Sequence, residues 1–146
     1  MATRFHHPRR VEFCETDAAG IVHFVSFQKY MEQAEHALLR SIGTSVVARR
    51  SEDTPEAGTI SWPRVSCAAD YHGAARFEEM LDIYVSIGRL GRSSVRYEFD
   101  IRRDEDAVCS GQITTVCCQF TGDEFSSVPI PDAVRTGLEP FLTNAH

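Results

Sequence analysis

A single stretch of helical periodicity sits near the start of the chain, and almost everything after it alternates. Phe27, Tyr30, Met31, Ala34, Leu38 and Ile42 recur at spacings of three and four, and the stripe stops at Gly43, a residue favoured where helices end. Gln28, Lys29, Gln33 and Arg40 take the opposite side. One helix with one wide apolar face cannot bury that face alone and needs a second layer. From Ile60 onward the sequence supplies it in apolar residues at every second position: Val65, Cys67, Ala69 and Tyr71, then Leu81, Ile83, Val85 and Ile87, then Val95, Tyr97, Phe99 and Ile101. The charged turn Asp104-Glu105-Asp106 leads into a last long strand expected over Val108 to Thr121, closed by Gly122-Asp123, so this pair reads as an antiparallel hairpin. Ahead of the helix, Arg9 to Cys14 reads as a short first strand with Val11 and Phe13 on one face. The tail from Pro129 to Leu142, with Pro131 near its start and Val134, Leu138 and Phe141 on one side, reads as a short terminal helix. Strand, helix, then a run of strands is the order of an α+β domain.

At 146 residues the chain is expected to be one domain, 1–146, able to bury a core without disulfides or metal. No apolar run is long enough to span a bilayer and no secretory pattern opens the sequence, so a cytoplasmic location is expected. The formal net charge of −6 opposes nonspecific attraction to nucleic acid or acidic membranes. The five cysteines, at 14, 67, 109, 117 and 118, lack CxxC spacing and read as reduced core thiols; Cys117 and Cys118 are adjacent, which does not suit one zinc. No metal or cofactor is expected. Residues 44 to 59 lose periodicity and form a polar connection longer than structural loops usually are, expected to be mobile.

Asp17 is the residue to explain. The run Glu15-Thr16-Asp17-Ala18-Ala19-Gly20-Ile21-Val22-His23-Phe24 leads into the helix, so a carboxylate is expected close to amides that have no intrahelical partner and carry partial positive charge. Such a helix start can hold an ionised acid and polarise a ligand carbonyl, and acyl chemistry needs both. Ala18, Ala19 and Gly20 keep the turn thin enough for a substrate to approach the backbone. The plainer alternative is that Thr16 or Asp17 simply caps the helix.

With these residues in view, the chain resembles the 4-hydroxybenzoyl-CoA thioesterase-like hotdog family of acyl-CoA thioesterases. The resemblance is carried by Val11-Glu12-Phe13, Asp17-Ala18-Ala19-Gly20-Ile21-Val22 and Tyr30-Met31-Glu32-Gln33-Ala34-Glu35-His36. It continues through Trp62-Pro63-Arg64-Val65-Ser66, Asp70-Tyr71, Arg76-Phe77-Glu78-Glu79, Gly91-Arg92-Ser93-Ser94 and Thr114-Thr115-Val116. It implies a hotdog fold, a long helix wrapped by about five antiparallel strands. It also implies hydrolysis of an acyl-CoA thioester to a free acid and CoA, coenzyme A entering only as part of the substrate. By the same resemblance Asp17 is nucleophile or general base and the backbone N–H of Phe24 polarises the thioester carbonyl. A homodimer is implied too, with the pocket at its interface, or a dimer of dimers.

His23 and Phe24 depart from the family's usual order, in which an aromatic residue precedes Tyr or His. His23 is a candidate to orient water or to hold Asp17; the alternative is a helix-start histidine packed at a subunit contact. CoA phosphates need local cations against the overall negative charge. Arg92 is the first candidate, with Ser93 and Ser94 as hydrogen-bond donors, while Arg49, Arg50 and Arg64 are further cations whose spacing does not place them together. Gly88 and Gly91 support an ordinary turn around Arg89 and Arg92 equally well. Trp62 is a candidate to line the acyl entrance, with core or subunit packing as its alternative. Two other functional classes stay open: a hotdog dehydratase or hydratase using His23 with Asp17, and a noncatalytic acyl-CoA-binding module.

Overall fold

The computed structural model describes residues 3–49 and 58–143. Strand β1 runs over Phe5–Arg10 and a 3-10 turn over Phe13–Glu15. Helix α1 follows at Phe24–Ser41, then β2 Val47–Arg49, β3 Thr59–Ser61, β4 Arg64–Tyr71, β5 Met80–Leu90, β6 Ser94–Arg103, β7 Asp106–Val116, β8 Cys118–Thr121 and β9 Glu124–Ser127. Helix α2, Asp132–Leu138, and a last 3-10 turn over Glu139–Phe141 close the described chain. The main sheet has five antiparallel strands in the order β1-β5-β6-β7-β4, and a second sheet has the order β2-β3-β8-β9.

Helix α1 lies across one face of the main sheet. Phe27, Tyr30, Met31, Ala34 and Leu38 are buried, as the stripe predicts, Ile42 is partly buried and Leu39 is buried in addition; the helix turns out of its axis at Gly43 with φ +88. The alternating sets of β5 and β6, Leu81 to Ile87 and Val95 to Ile101, are buried without exception. Gly111 of β7 is what lets the two layers meet closely. A Cβ there would lie 2.6 Å from the Met31 sulfur and 2.7 Å from the Ala68 carbonyl oxygen, distances that no side chain can occupy.

Four expectations change. The first strand ends at Arg10 rather than Cys14. Glu12 and Glu15 form a capping box that winds the next residues into the 3-10 turn, so Val11 is buried while Phe13 is 73% exposed. The long last strand breaks at Cys117: its amide bonds the Ser93 carbonyl at 2.6 Å, and the chain leaves the main sheet to build the second sheet as β8. Gly122 and Asp123 then turn it into β9, whose residues are all exposed and carry no apolar alternation to announce it. Cys14 and Cys67 are exposed, whereas Cys109, Cys117 and Cys118 are buried thiols. The expected mobile connection falls mostly on residues 50–57, which lie outside the described residues, Arg50 among them. Its ends form β2 and β3.

Strand β4 is an edge strand. Val65 is 62% and Tyr71 48% exposed on the side that faces α1, so its apolar face continues past the cover that one helix provides.

Candidate active site

The loop that carries Asp17 is closed before the helix begins. Thr16 and Val22 form an antiparallel bridge. The Asp17 amide donates to the Ile21 carbonyl at 2.8 Å and the Gly20 amide to the Asp17 carbonyl at 2.9 Å. Gly20 sits at φ +80, a conformation that favours glycine. Within this loop Asp17 Oδ1 accepts from the Ala19 amide at 2.8 Å and from the Ile21 amide at 3.4 Å. The carboxylate is thus oriented by the loop's own amides rather than by those of the helix, and Oδ2 has no protein donor among the described residues.

Neither Thr16 nor Asp17 caps α1. The cap is His23, whose Nδ1 accepts from the Val25 amide at 3.2 Å and whose ring stacks on Phe24 at 4.6 Å. That bond occupies one ring nitrogen, and among the described residues no hydrogen bond joins His23 to Asp17. Phe24 is the first helical residue, and its N–H finds no acceptor among the described residues, as expected for the opening amides of a helix. The loop and the helix start are fixed to the rest of the fold by Val22 N–H to the Ala75 carbonyl at 2.8 Å and His23 N–H to the Glu15 carbonyl at 2.8 Å.

Asp17 and Phe24 line one cleft of about 160 Å³ with Phe27, Tyr71 and Ala75 among its walls. Tyr71 reaches across from β4, donating its hydroxyl to the Phe24 carbonyl at 3.2 Å and packing its ring 5.6 Å from Phe27. Burial, with Cys109 and Cys67 nearby, holds its phenol above the usual range, so Tyr71 stays a neutral donor. Tyr71 and Ala75 were not singled out as site residues from sequence; only the Asp70-Tyr71 match hinted at the first.

Arg92, Ser93 and Ser94 lie elsewhere. They form the β5–β6 turn, tied down by the Ile130 amide to the Arg92 carbonyl at 2.9 Å and by the Cys117 amide to Ser93. The ladders pair Tyr71 with Cys109 and Ser94 with Val116. Seven residues of β7, about 23 Å, therefore separate the Asp17 end of the sheet from the Arg92 end. Within one chain these groups do not meet. Arg92 is exposed, whereas Trp62 is 3% exposed and packs in the core rather than in the Asp17 cleft. Arg64 is committed to α1, bonding the Glu35 carboxylate and reaching Glu32 at 3.4 Å.

Glu35 itself is a feature not singled out from sequence. It is fully buried in the middle of α1, one oxygen bonded by Arg64 and the other without a partner. Burial pushes its pKa up to about 7 against the opposing pull of Arg64, with Glu32 adding to the rise. Cys109, the thiol nearest the cleft wall, is pushed up to about 12 by burial and by Asp70, too high to serve as a thiolate. Among the described residues no group of three or more His, Cys, Asp or Glu stands together to hold a metal, and no helix is long and apolar enough to cross a membrane.

Comparison with known proteins gives the family. Residues 19–110 match the thioesterase superfamily. A 1,4-dihydroxy-2-naphthoyl-CoA hydrolase of Synechococcus sp. (strain CC9311) is 33% identical over 127 residues, covering 84% of this chain and 82% of that protein. Among solved structures, a gentisyl-coenzyme A thioesterase is 28% identical with a TM-score of 0.76, covering 91% of this chain and 98% of that one. The dynemicin thioesterase, at 19% identity, shares the fold with a TM-score of 0.84 over 98% of this chain and all of that one. The chain belongs to the thioesterase superfamily, with the hotdog fold and the thioester hydrolysis that define it.

Proposed function

We propose that the protein hydrolyses an acyl-CoA, with Asp17 as the catalytic carboxylate and the Phe24 amide as the group that polarises the thioester carbonyl. The observation that carries this reading is their meeting in one cleft, the carboxylate oriented through one oxygen and the amide without an acceptor. Asp17 Oδ2 attacks the carbonyl carbon directly or takes a proton from an attacking water. In either route the developing oxyanion receives the Phe24 N–H and the C–S bond breaks, the CoA thiolate taking a proton from water; in the direct route a second water then cleaves the acyl-Asp17 anhydride, returning the free acid and the carboxylate. The enzyme needs no cofactor in this scheme, since coenzyme A arrives on the substrate.

The site is completed by a second copy. An edge strand with apolar residues open to solvent invites pairing with its own kind, and antiparallel self-pairing of β4 sets the Arg64 end of one strand against the Tyr71 end of the other. That arrangement brings the partner's sheet end, with its Arg92 turn, toward this chain's Asp17. Ser93 and Ser94 would accompany it in holding the nucleotide part of CoA. A homodimer is the minimal unit, with a dimer of dimers as its extension. A cytoplasmic setting suits a chain whose cysteines lack the spaced framework of small secreted domains.

The test is release of free thiol from a panel of acyl-CoAs. Hydroxylated aroyl groups come first, after the substrates that name the naphthoyl and gentisyl relatives, followed by short and long aliphatic chains. Asp17→Asn is expected to lower kcat by about two to three powers of ten, the scale of losing a group that acts in the transition state. Hydrolysis of the best substrate at the parental rate by Asp17→Asn would overturn the assignment of Asp17, and absence of thiol release across the panel would overturn the reading as a whole.

A further inference from the structure

We propose that Ser110 and His72, with Gln112, form a second nucleophilic site on the outer face of the main sheet, one that takes small acyl esters. His72 Nε2 and Ser110 Oγ are 2.8 Å apart, within the reach a base needs to take a hydroxyl proton. Ser110 lines a groove of about 350 Å³ together with Ala68, Asp70, Glu98 and Gln112, and His72 reaches its hydroxyl from the strand end. The ladder accounts for the grouping: Asp70 is paired with Ser110, Ala68 with Gln112, and Glu98 with Gln112 on the other side. The two rows therefore set acidic, hydroxyl and amide groups side by side, over a floor kept low by Ala68.

This face is not the one that carries Asp17. Successive side chains of a strand point to opposite sides. Tyr71 turns toward α1 and packs on Phe27, so its neighbours Asp70 and His72 turn the other way. His72 is fixed at the strand end by its own amide, which donates to the Val108 carbonyl at 2.8 Å, and by the Gly73 amide, which donates to the same oxygen at 3.1 Å. The Ser110 hydroxyl bonds nothing but this imidazole among the described residues, so it has no structural duty to give up.

The chemistry closes without a co-reactant other than water. Ser110 Oγ forms a bond to the ester carbonyl carbon while its proton moves to His72 Nε2, and the Gln112 side-chain N–H meets the oxyanion. Collapse breaks the bond to the alcohol oxygen, which leaves with the proton from His72. Water then attacks the acyl-serine with His72 again as base, returning the free acid and the Ser110 hydroxyl. Asp70, on the same face and two residues from His72, supplies negative charge beside the imidazolium that forms.

Phenylmethanesulfonyl fluoride tests the pair directly, because attack by Oγ forms an O–S bond, expels fluoride and leaves a mass that intact-protein and peptide mass spectrometry locate. The expected result is one adduct per chain, on Ser110. Its rate of formation should fall at least tenfold in His72→Gln, and p-nitrophenyl acetate should give a burst of one phenolate per chain that Ser110→Ala removes. An adduct on another residue, no adduct, or equal labelling of Ser110 in His72→Gln would overturn the proposal, the last by reducing Ser110 to an exposed hydroxyl. Because adducts are read by mass on the face away from Asp17, the outcome is independent of whether thiol is released from acyl-CoA.

Discussion

Two glutamates among the described residues are buried, and they are buried differently. Glu15 has both oxygens occupied: Oε1 accepts from the Tyr30 hydroxyl at 2.8 Å and from the Glu12 amide at 2.7 Å, and Oε2 from Arg9. Its backbone carbonyl takes the His23 amide and the Ser26 hydroxyl as well. One residue therefore fastens β1, the Asp17 loop and the start of α1 together. Glu35 has Arg64 on one oxygen and nothing on the other. Tyr97 and Thr115, also buried, leave their hydroxyls without partners among the described residues. What separates the two sites is the number of donors that replace lost water, since a buried charge is tolerated when it is fully hydrogen-bonded and costly when it is not. Glu15 reads as a structural bolt under the active-site loop, Glu35 as an acid held near its protonation boundary.

The largest expected effect is at the bolt. Glu15→Ala should cost about 3–5 kcal/mol in urea unfolding, because it strands Arg9 and the Tyr30 hydroxyl together. A loss much below this would mean that the two glutamates are energetically alike. Next comes Glu35→Gln. The folded-state pKa of Glu35 is raised from 4.5 to about 7, so folding favours the protonated acid. Its contribution to stability is fully present below 4.5 and is lost as pH rises to about 7. That loss is up to about 3 kcal/mol in the parent protein and absent in Glu35→Gln. Unfolding curves on either side of this window check it, and equal slopes in both proteins would break the contrast. Tyr30→Phe removes one hydrogen bond to a charged acceptor and should cost about 1.5–3 kcal/mol. Tyr97→Phe removes a buried hydroxyl that bonds nothing among the described residues and should stabilise the protein by about 1 kcal/mol.

The same contrast marks what a sequence conveys. The sets of β5 and β6 were legible because both are buried at a strict period of two. The face of β4 was legible as a face, but alternation says which residues share a side and not whether that side is covered. Strand β9 offered no apolar pattern at all. Asp17 stood out because its type and its place before the helix restrict its chemistry. Glu35 lies inside the apolar stripe, one residue after Ala34 and three before Leu38, a spacing that by itself allows an inward-facing side chain. Its charge argued the other way, and only the position of Arg64 decides between them. That position depends on a bulge between Arg64 and Ser66 in the β4–β7 pairing, which re-aims the side chain toward the helix and leaves no signature in composition.

Gly111 joins these regions. Its missing side chain is the hollow into which the Met31 sulfur settles, so the height at which α1 rides over the sheet is fixed near the middle of the helix by an atom that is not there. Raising the helix by one methyl would tilt its first amide as a lever moves its far end. The carbonyl polarisation proposed for Phe24 would then fail from a change made on another strand, with every reacting group still in the sequence.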